Sequence, residues 1–183
     1  MGSTRLPGKV LMLLDKKHTI LDYIINQLKH SKLLGKIIIA TTNLEEDNVI
    51  VHFAKKNKIE CFRGETDDVL DRYYNCAEKF SLDTIVRITS DEPFIDPTIV
   101  DQIINNFQKI GCDYASNNII RTFPAGFDVE VFSKQVLERT WREAKLPSER
   151  EHVTPFMKKN KDIFKQFNLK SSQHIPISRL TLD

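Results

Sequence analysis

Residues 84–97 read TIVRITSDEPFIDP and place a strand, an acidic loop and the start of a helix in one short stretch. The apolar first part is typical of a strand, and the stretch that opens at Pro97 has helical spacing to about Lys109. In open parallel sheets, ligands bind outside the carboxyl ends of the strands. The carboxylates that follow this strand therefore indicate a ligand site.

The residues before this stretch alternate between helix and strand patterns. The elements predicted, in chain order, are a helix capped by Thr19 and running to about Ser31, a strand over KIIIATTN (36–43), a helix over 44–57, a strand over KIECFRG (58–64) and a helix capped by Thr66 and Asp67. Consecutive β-branched residues in KIIIATTN predict a strand buried on both faces. The order predicts an α/β fold with a mostly parallel central sheet and helices on both faces.

The composition is that of one soluble globular domain. The 183 residues are 40% apolar and 28% charged, and 27 basic residues nearly balance 25 acidic ones, which argues against nonspecific nucleic-acid binding. The apolar runs are too short to cross a bilayer. The spacing of Cys61, Cys76 and Cys112 fits neither a zinc knuckle nor a disulfide framework, so we expect a cytoplasmic protein.

The segment GSTRLPGK, residues 2–9, combines two glycines, two hydroxyls and two cations. Such a loop can wrap phosphate oxygens, with Arg5 as a two-pronged donor and Lys9 as a mobile charge. It is not a Walker A loop, because Val10 stands where Ser or Thr is required. A flexible basic arm is the alternative interpretation.

In the acidic loop, Asp91 lies directly at the end of the predicted strand. One or two carboxylates together with substrate phosphates are the usual ligands of Mg²⁺. Turn and capping chemistry is the alternative for Asp91 and Glu92, and we assign Asp96, just before Pro97, to a helix cap.

Taken together, these segments resemble the spore-coat-polysaccharide type of cytidylyltransferase, in the group that includes acylneuraminate and keto-deoxy-octulosonate cytidylyltransferases. The resemblance extends along nearly the whole chain, through GSTRLPGKVL, IIIATT, FRGETDDVLDRYY, DTIVRITSDEPFIDPTIVD, DYASNN, RTFPAGFDVEVF, EREHVTPF and RLTLD. It implies a nucleotide-diphosphosugar-transferase fold, related to GT-A and Rossmann folds. It also implies a reaction in which CTP and a sugar acid give a CMP-sugar and pyrophosphate.

The resemblance assigns roles at both ends of the chain. Arg5 and Lys9 would hold the CTP triphosphate, helped by the amides of Gly2, Ser3 and Thr4. Asp91 would hold Mg²⁺, and Asp183 falls at the position of the family's second metal-binding aspartate. Ser90 replaces a glycine found in many relatives.

Arg87 lies inside the predicted strand, where a buried arginine needs a carboxylate or a bound anion. We therefore include Arg87 among the nucleotide-binding candidates, with Asp67, Asp68 or substrate as its partner. Arg63 lies near the end of the preceding strand and has two open interpretations, a nucleoside contact or a local structural role.

For the acceptor, the candidates are Arg121, Glu130 and His152. Arg121 could pair with an acceptor carboxylate, and the resemblance puts Glu130 near the sugar or a dimer contact. A solvated strand face is the alternative for Glu130, and a structural hydrogen bond is the alternative for His152. We expect residues 111–155 to form an acceptor and dimerisation insertion within a single domain over residues 1–183, and the protein to be a homodimer.

Relatives carry a strand before GSTRLPGK and a helix after RLTLD, so we expect this sequence to be a fragment or the product of a misassigned start. Two other functions stay open. A GT-A glycosyltransferase also places an acidic metal motif after a strand, and a non-catalytic nucleotide-binding remnant would keep the cleft without turnover.

Overall fold

The computed structural model describes residue 6, residues 8–172 and residues 179–181. The helices of this part are α1 (Ile20–Leu28), α2 (Asn48–Lys56), α3 (Val69–Lys79), α4 (Pro97–Ile110), α5 (Lys134–Glu143), α6 (Pro147–His152) and α7 (Pro155–Lys159). The strands are β1 (Ile38–Thr42), β2 (Glu60–Gly64), β3 (Thr84–Arg87), β4 (Tyr114–Ser116), β5 (Glu130–Ser133) and β6 (Gln166–Asn168).

Local hydrogen bonds explain where the helices begin. Thr19 Oγ1 accepts from the Asp22 amide at 3.1 Å while the Asp22 carboxylate accepts from the Thr19 amide at 2.8 Å, a reciprocal cap at the predicted start of α1. The predicted cap of α4 is also confirmed, since Asp96 accepts from the Thr98 amide at 2.7 Å. The predicted cap of α3 is wrong by one residue, because Asp68 is the residue whose side chain accepts from the first turn.

The described strands form two sheets, and the expectation of one mostly parallel sheet is only partly met. β1 and β2 pair in parallel, whereas the four-stranded sheet has the order β3-β5-β4-β6, with β5 antiparallel to both neighbours. β4 and β6 are parallel. The difference arises because β4 and β5, from the segment expected to form an insertion, lie at the centre of the larger sheet.

Both faces of the larger sheet are covered by helices, as predicted. On β4 and β5, neighbouring side chains point to opposite faces: Ala115 and Val131 pack with α1 and α4, while Tyr114 and Phe132 pack with α3, α5 and α7. Within the described ranges, no helix is long and apolar enough to cross a membrane.

β1 departs from the prediction of burial on both faces. Among the described residues it has a strand neighbour on one side only, and Thr41 is the only one of its five residues that is buried. The other edge of β1 borders the cleft described next.

Candidate active site

A cleft of about 950 Å³ opens beside β1 and the loop that follows β3. Its lining comprises Gly8, Lys9, Val10, Leu21, residues 39–42, Asp47, Ile50, residues 66–69, Arg72, residues 89–91, Pro147, Arg150 and Glu151. Four consecutive residues of β1 line it, and successive side chains of a strand point in opposite directions. The cleft therefore follows the open edge of β1.

The cleft brings together Lys9 and Asp91, which are far apart in the sequence. Lys9 Nζ lies 3.7 Å from Asp91 Oδ2, and the two side chains are 14% and 28% exposed. Gly8, with φ 74°, makes the turn into the short 3-10 helix Lys9–Leu11 that carries the lysine. The pairing of the basic loop with the acidic loop is what the sequence predicts for a phosphate and metal site.

The remaining predicted residues of that site lie outside the described part of the chain. They are Gly2, Ser3, Thr4 and Arg5 from the basic loop, and Asp183, the expected second metal ligand. Their roles stay predictions.

The side chains near Asp91 fit the way in which proteins usually hold Mg²⁺. Among the described residues, no group of three or more His, Cys, Asp or Glu side chains forms a ready-made cage. Asp91 lines the cleft in the loop that follows β3, and one or two protein carboxylates with substrate phosphates and water are the common ligands of this cation.

Glu92, next to Asp91, is 4% exposed, and its Oε2 has no hydrogen-bond partner. Burial, reinforced by the carboxylates of Asp128 and Asp91, raises its pKa to about 8. The charge of Glu92 is therefore suppressed near neutral pH, and Asp91 is the carboxylate of this pair that lines the cleft.

Arg87 and Glu130 form a buried ion pair away from the cleft lining. Arg87 Nη1 donates to Glu130 Oε2 at 2.5 Å, so the partner of Arg87 is neither Asp67 nor Asp68. The alternative of a solvated face at Glu130 is wrong, because this residue is 2% exposed. Neither residue belongs to the lining, so the structure gives no cleft contact to the nucleotide role predicted for Arg87 or the sugar role predicted for Glu130.

Glu130 also receives three further hydrogen bonds. Tyr114 Oη, Thr154 Oγ1 and Lys158 Nζ donate to it at 2.6, 2.7 and 2.8 Å. Burial opposes its ionisation, but Arg87 and Lys158 lower its pKa to about 2. The carboxylate thus joins β3, β4, β5 and the α6–α7 corner into one network.

The two other acceptor candidates lie outside the lining as well. Arg121 donates to both oxygens of Asp128 at 2.8 and 2.7 Å, and this pairing raises the arginine pKa. His152 is exposed at the end of α6, directly after the lining residues Arg150 and Glu151.

Two groups that shape the cleft, at Asp47 and Arg150, are not predicted from the sequence. Asp47 is buried and accepts from the hydroxyls of Thr41 and Thr42, both at 2.6 Å. Arg150 donates through Nε and Nη2 to Asp68 Oδ2 at 2.9 and 2.5 Å, which fixes α6 against the start of α3.

Of the two interpretations of Arg63, the structure favours the local structural role. Its three guanidinium nitrogens donate to Thr42 O, Asn48 Oδ1 and Leu44 O at 2.9, 2.7 and 2.7 Å. It therefore braces the loop between β1 and α2.

Comparison with known proteins identifies the family to which the chain belongs. A family model described as "Cytidylyltransferase" matches residues 1–179. An uncharacterised protein of Methanocaldococcus jannaschii is 41% identical, in an alignment that covers all of this chain and 74% of that protein. The spore coat polysaccharide biosynthesis protein SpsF of Bacillus subtilis is 32% identical, in an alignment that covers all of this chain and 78% of SpsF. The structure of a cytidylyltransferase from Leptospira borgpetersenii superposes with a TM-score of 0.95 at 36% identity, over 100% of this chain and 77% of that one. The chain belongs to the cytidylyltransferase family.

Proposed function

We propose that this protein transfers CMP from CTP to a hydroxyl of a sugar acid and releases pyrophosphate, in the synthesis of a surface polysaccharide or glycan. The observation that carries the proposal is the approach of Lys9 to Asp91 in the cleft, at 3.7 Å. A cation and a carboxylate at one place are what a metal-assisted reaction of a triphosphate requires.

In the proposed reaction, the oxygen of the acceptor hydroxyl bonds to the α-phosphorus of CTP as the bond from that phosphorus to the bridging oxygen of the pyrophosphate breaks. The hydroxyl proton passes to solvent, and pyrophosphate is the leaving group. Lys9 offsets the negative charge that grows on the departing pyrophosphate. Asp91 would hold Mg²⁺, which supplies charge neutralisation at the phosphate oxygens when bound. The residues contribute by positioning and charge, since phosphoryl-type transfers need little covalent help from the protein.

For the acceptor side, we propose Arg121 as the partner of the sugar-acid carboxylate. Its bidentate pair with Asp128 is half-buried, so an incoming carboxylate would exchange with Asp128 on a guanidinium that is already oriented. His152, exposed beside the cleft, is proposed as a second donor to the acceptor.

Nucleotide selectivity can be tested without knowing the acceptor, by thermal unfolding with Mg²⁺ and each of CTP, UTP, GTP and ATP. Ligand at about 100 times its dissociation constant adds about 2.7 kcal/mol, and we expect a shift of about 2 to 4 °C per kcal/mol for CTP. The shift should shrink when EDTA replaces Mg²⁺. Equal shifts for all four nucleotides would contradict a cytidylyltransferase.

Pyrophosphate release separates the proposal from its rivals. A glycosyltransferase would use a nucleotide-sugar and form no pyrophosphate, and a non-catalytic remnant would bind CTP without turnover. We expect pyrophosphate to form from CTP only when a suitable sugar acid is present.

A further inference from the structure

Arg72, on the second turn of α3, is a lining residue of the cleft for which the sequence analysis found no role. Its Nη1 donates to the carbonyl oxygen of Glu65 at 2.6 Å, and its Nε is buried without a hydrogen-bond partner. Within the described ranges, no carboxylate lies within ion-pair distance of this guanidinium.

Arg87 also has a buried Nε without a hydrogen-bond partner, but it differs from Arg72 in having a carboxylate partner, as do most of the partly buried arginines in the part of the chain that the structure describes. Arg87, Arg121 and Arg150 each pair with a carboxylate, respectively Glu130, Asp128 and Asp68. Arg63 lacks a carboxylate but donates from all three of its nitrogens. A buried guanidinium normally needs a carboxylate or a bound anion, so Arg72 has unused capacity for an anion.

The side chain is held in place before any ligand arrives. A Cβ at Gly64 would lie 2.9 Å from Arg72 Cγ, so the glycine leaves the space that the arginine stem occupies. The bond from Nη1 to Glu65 fixes the other end of the side chain. Burial lowers the pKa of Arg72 from its ordinary value, yet arginine starts so high that it stays charged.

We propose that Arg72 is a nucleotide-binding residue whose guanidinium holds a phosphate oxygen of the triphosphate. Lys9 and Asp91 line the same cleft, whereas the acceptor candidates Arg121 and His152 do not, which favours a phosphate over an acceptor carboxylate. This inference rests on the proposed function, since it takes CTP as the ligand of the cleft.

The test is isothermal titration of the full chain with CTP and, separately, with cytidine, both in Mg²⁺ and without acceptor. We expect Arg72→Gln to bind CTP about 10-fold or more weakly, because the variant loses a hydrogen bond between two charged groups. Its affinity for cytidine, which has no phosphate, should be unchanged. Arg142→Gln is the matched control, because Arg142 is an exposed arginine that pairs with Glu138 on α5. It should bind CTP as the wild type does.

Several outcomes would overturn the assignment. Equal weakening of CTP and cytidine would show that Arg72 supports the cleft without touching phosphate, and unchanged CTP affinity would remove the residue from the site. If Arg72→Gln fails to fold, Arg72→Met takes its place, because Met keeps the apolar stem beside Gly64 but has no donor. Wild-type CTP affinity in that variant would equally contradict the proposal. A wild type that binds no CTP would instead overturn the proposed function, and the role of Arg72 with it.

Discussion

Replacing Asp91 with Asn should reduce pyrophosphate formation from CTP by about 100-fold to 1000-fold or more. Asn has nearly the same shape but no charge, so the cleft would lose its ligand for Mg²⁺ and the charge neutralisation that goes with it. Turnover is measured as pyrophosphate release at saturating CTP and Mg²⁺, with a sugar acid that supports turnover by the wild type.

The fold should survive this substitution. The pair formed with Lys9 is long and partly exposed, and such pairs contribute about 1 kcal/mol at most. Asp96→Asn is the matched control in the same loop, because Asn also caps helices well and Asp96 is not a lining residue. Full activity in Asp91→Asn, or an equal loss in Asp96→Asn, would contradict the role given to Asp91.

Replacing Glu130 with Gln should lower the free energy of unfolding at pH 7 by about 3 to 5 kcal/mol, the usual result of breaking a buried ion pair. Gln cannot neutralise Arg87, which is 16% exposed and would be left charged in the interior. Urea unfolding measures the loss. Glu138→Gln on α5 is the control, because its exposed pair with Arg142 contributes about 0.5 kcal/mol.

The pH dependence gives a second readout of Glu130. Its pKa is about 2 in the folded chain against an ordinary value of 4.5. A lowered pKa means that the ionised form stabilises the fold above about pH 4.5, and this contribution is lost as the pH falls toward 2. The free energy of unfolding of Glu130→Gln should therefore fall less between pH 4.5 and pH 2 than that of the wild type. Identical unfolding of variant and wild type at pH 7 would show that the network does not depend on the charge.

The parts of the fold that sequence predicted are those set by local contacts. Thr19 and Asp96 each cap a helix by accepting a hydrogen bond from an amide no more than three residues away. The starts of α1 and α4 can therefore be predicted from the neighbouring sequence alone. The position of β5 depends on pairing with β3 and β4, which are distant along the chain. No local pattern distinguishes such a central antiparallel strand from one in an insertion.

The same distinction holds for the site. The resemblance indicated Lys9 and Asp91 because both lie in recognisable motifs. Arg72 occupies a helical position at which a polar residue usually faces solvent, and only the packing of Gly64 and the loop after it turns that position into part of the cleft. Polar and apolar residues alternate around Glu130, which is typical of a strand with one solvated face. In the structure Glu130 is buried, and Arg87 and Lys158 neutralise its charge there.

The open edge of β1 bears on how base preference could change during evolution. A nucleotide in the cleft would lie beside the peptide groups of residues 39–42, which offer the same N–H and C=O groups whatever side chains they carry. Alanine scanning cannot detect recognition of this kind. A base preference set by these groups would be insensitive to side-chain exchanges on the strand.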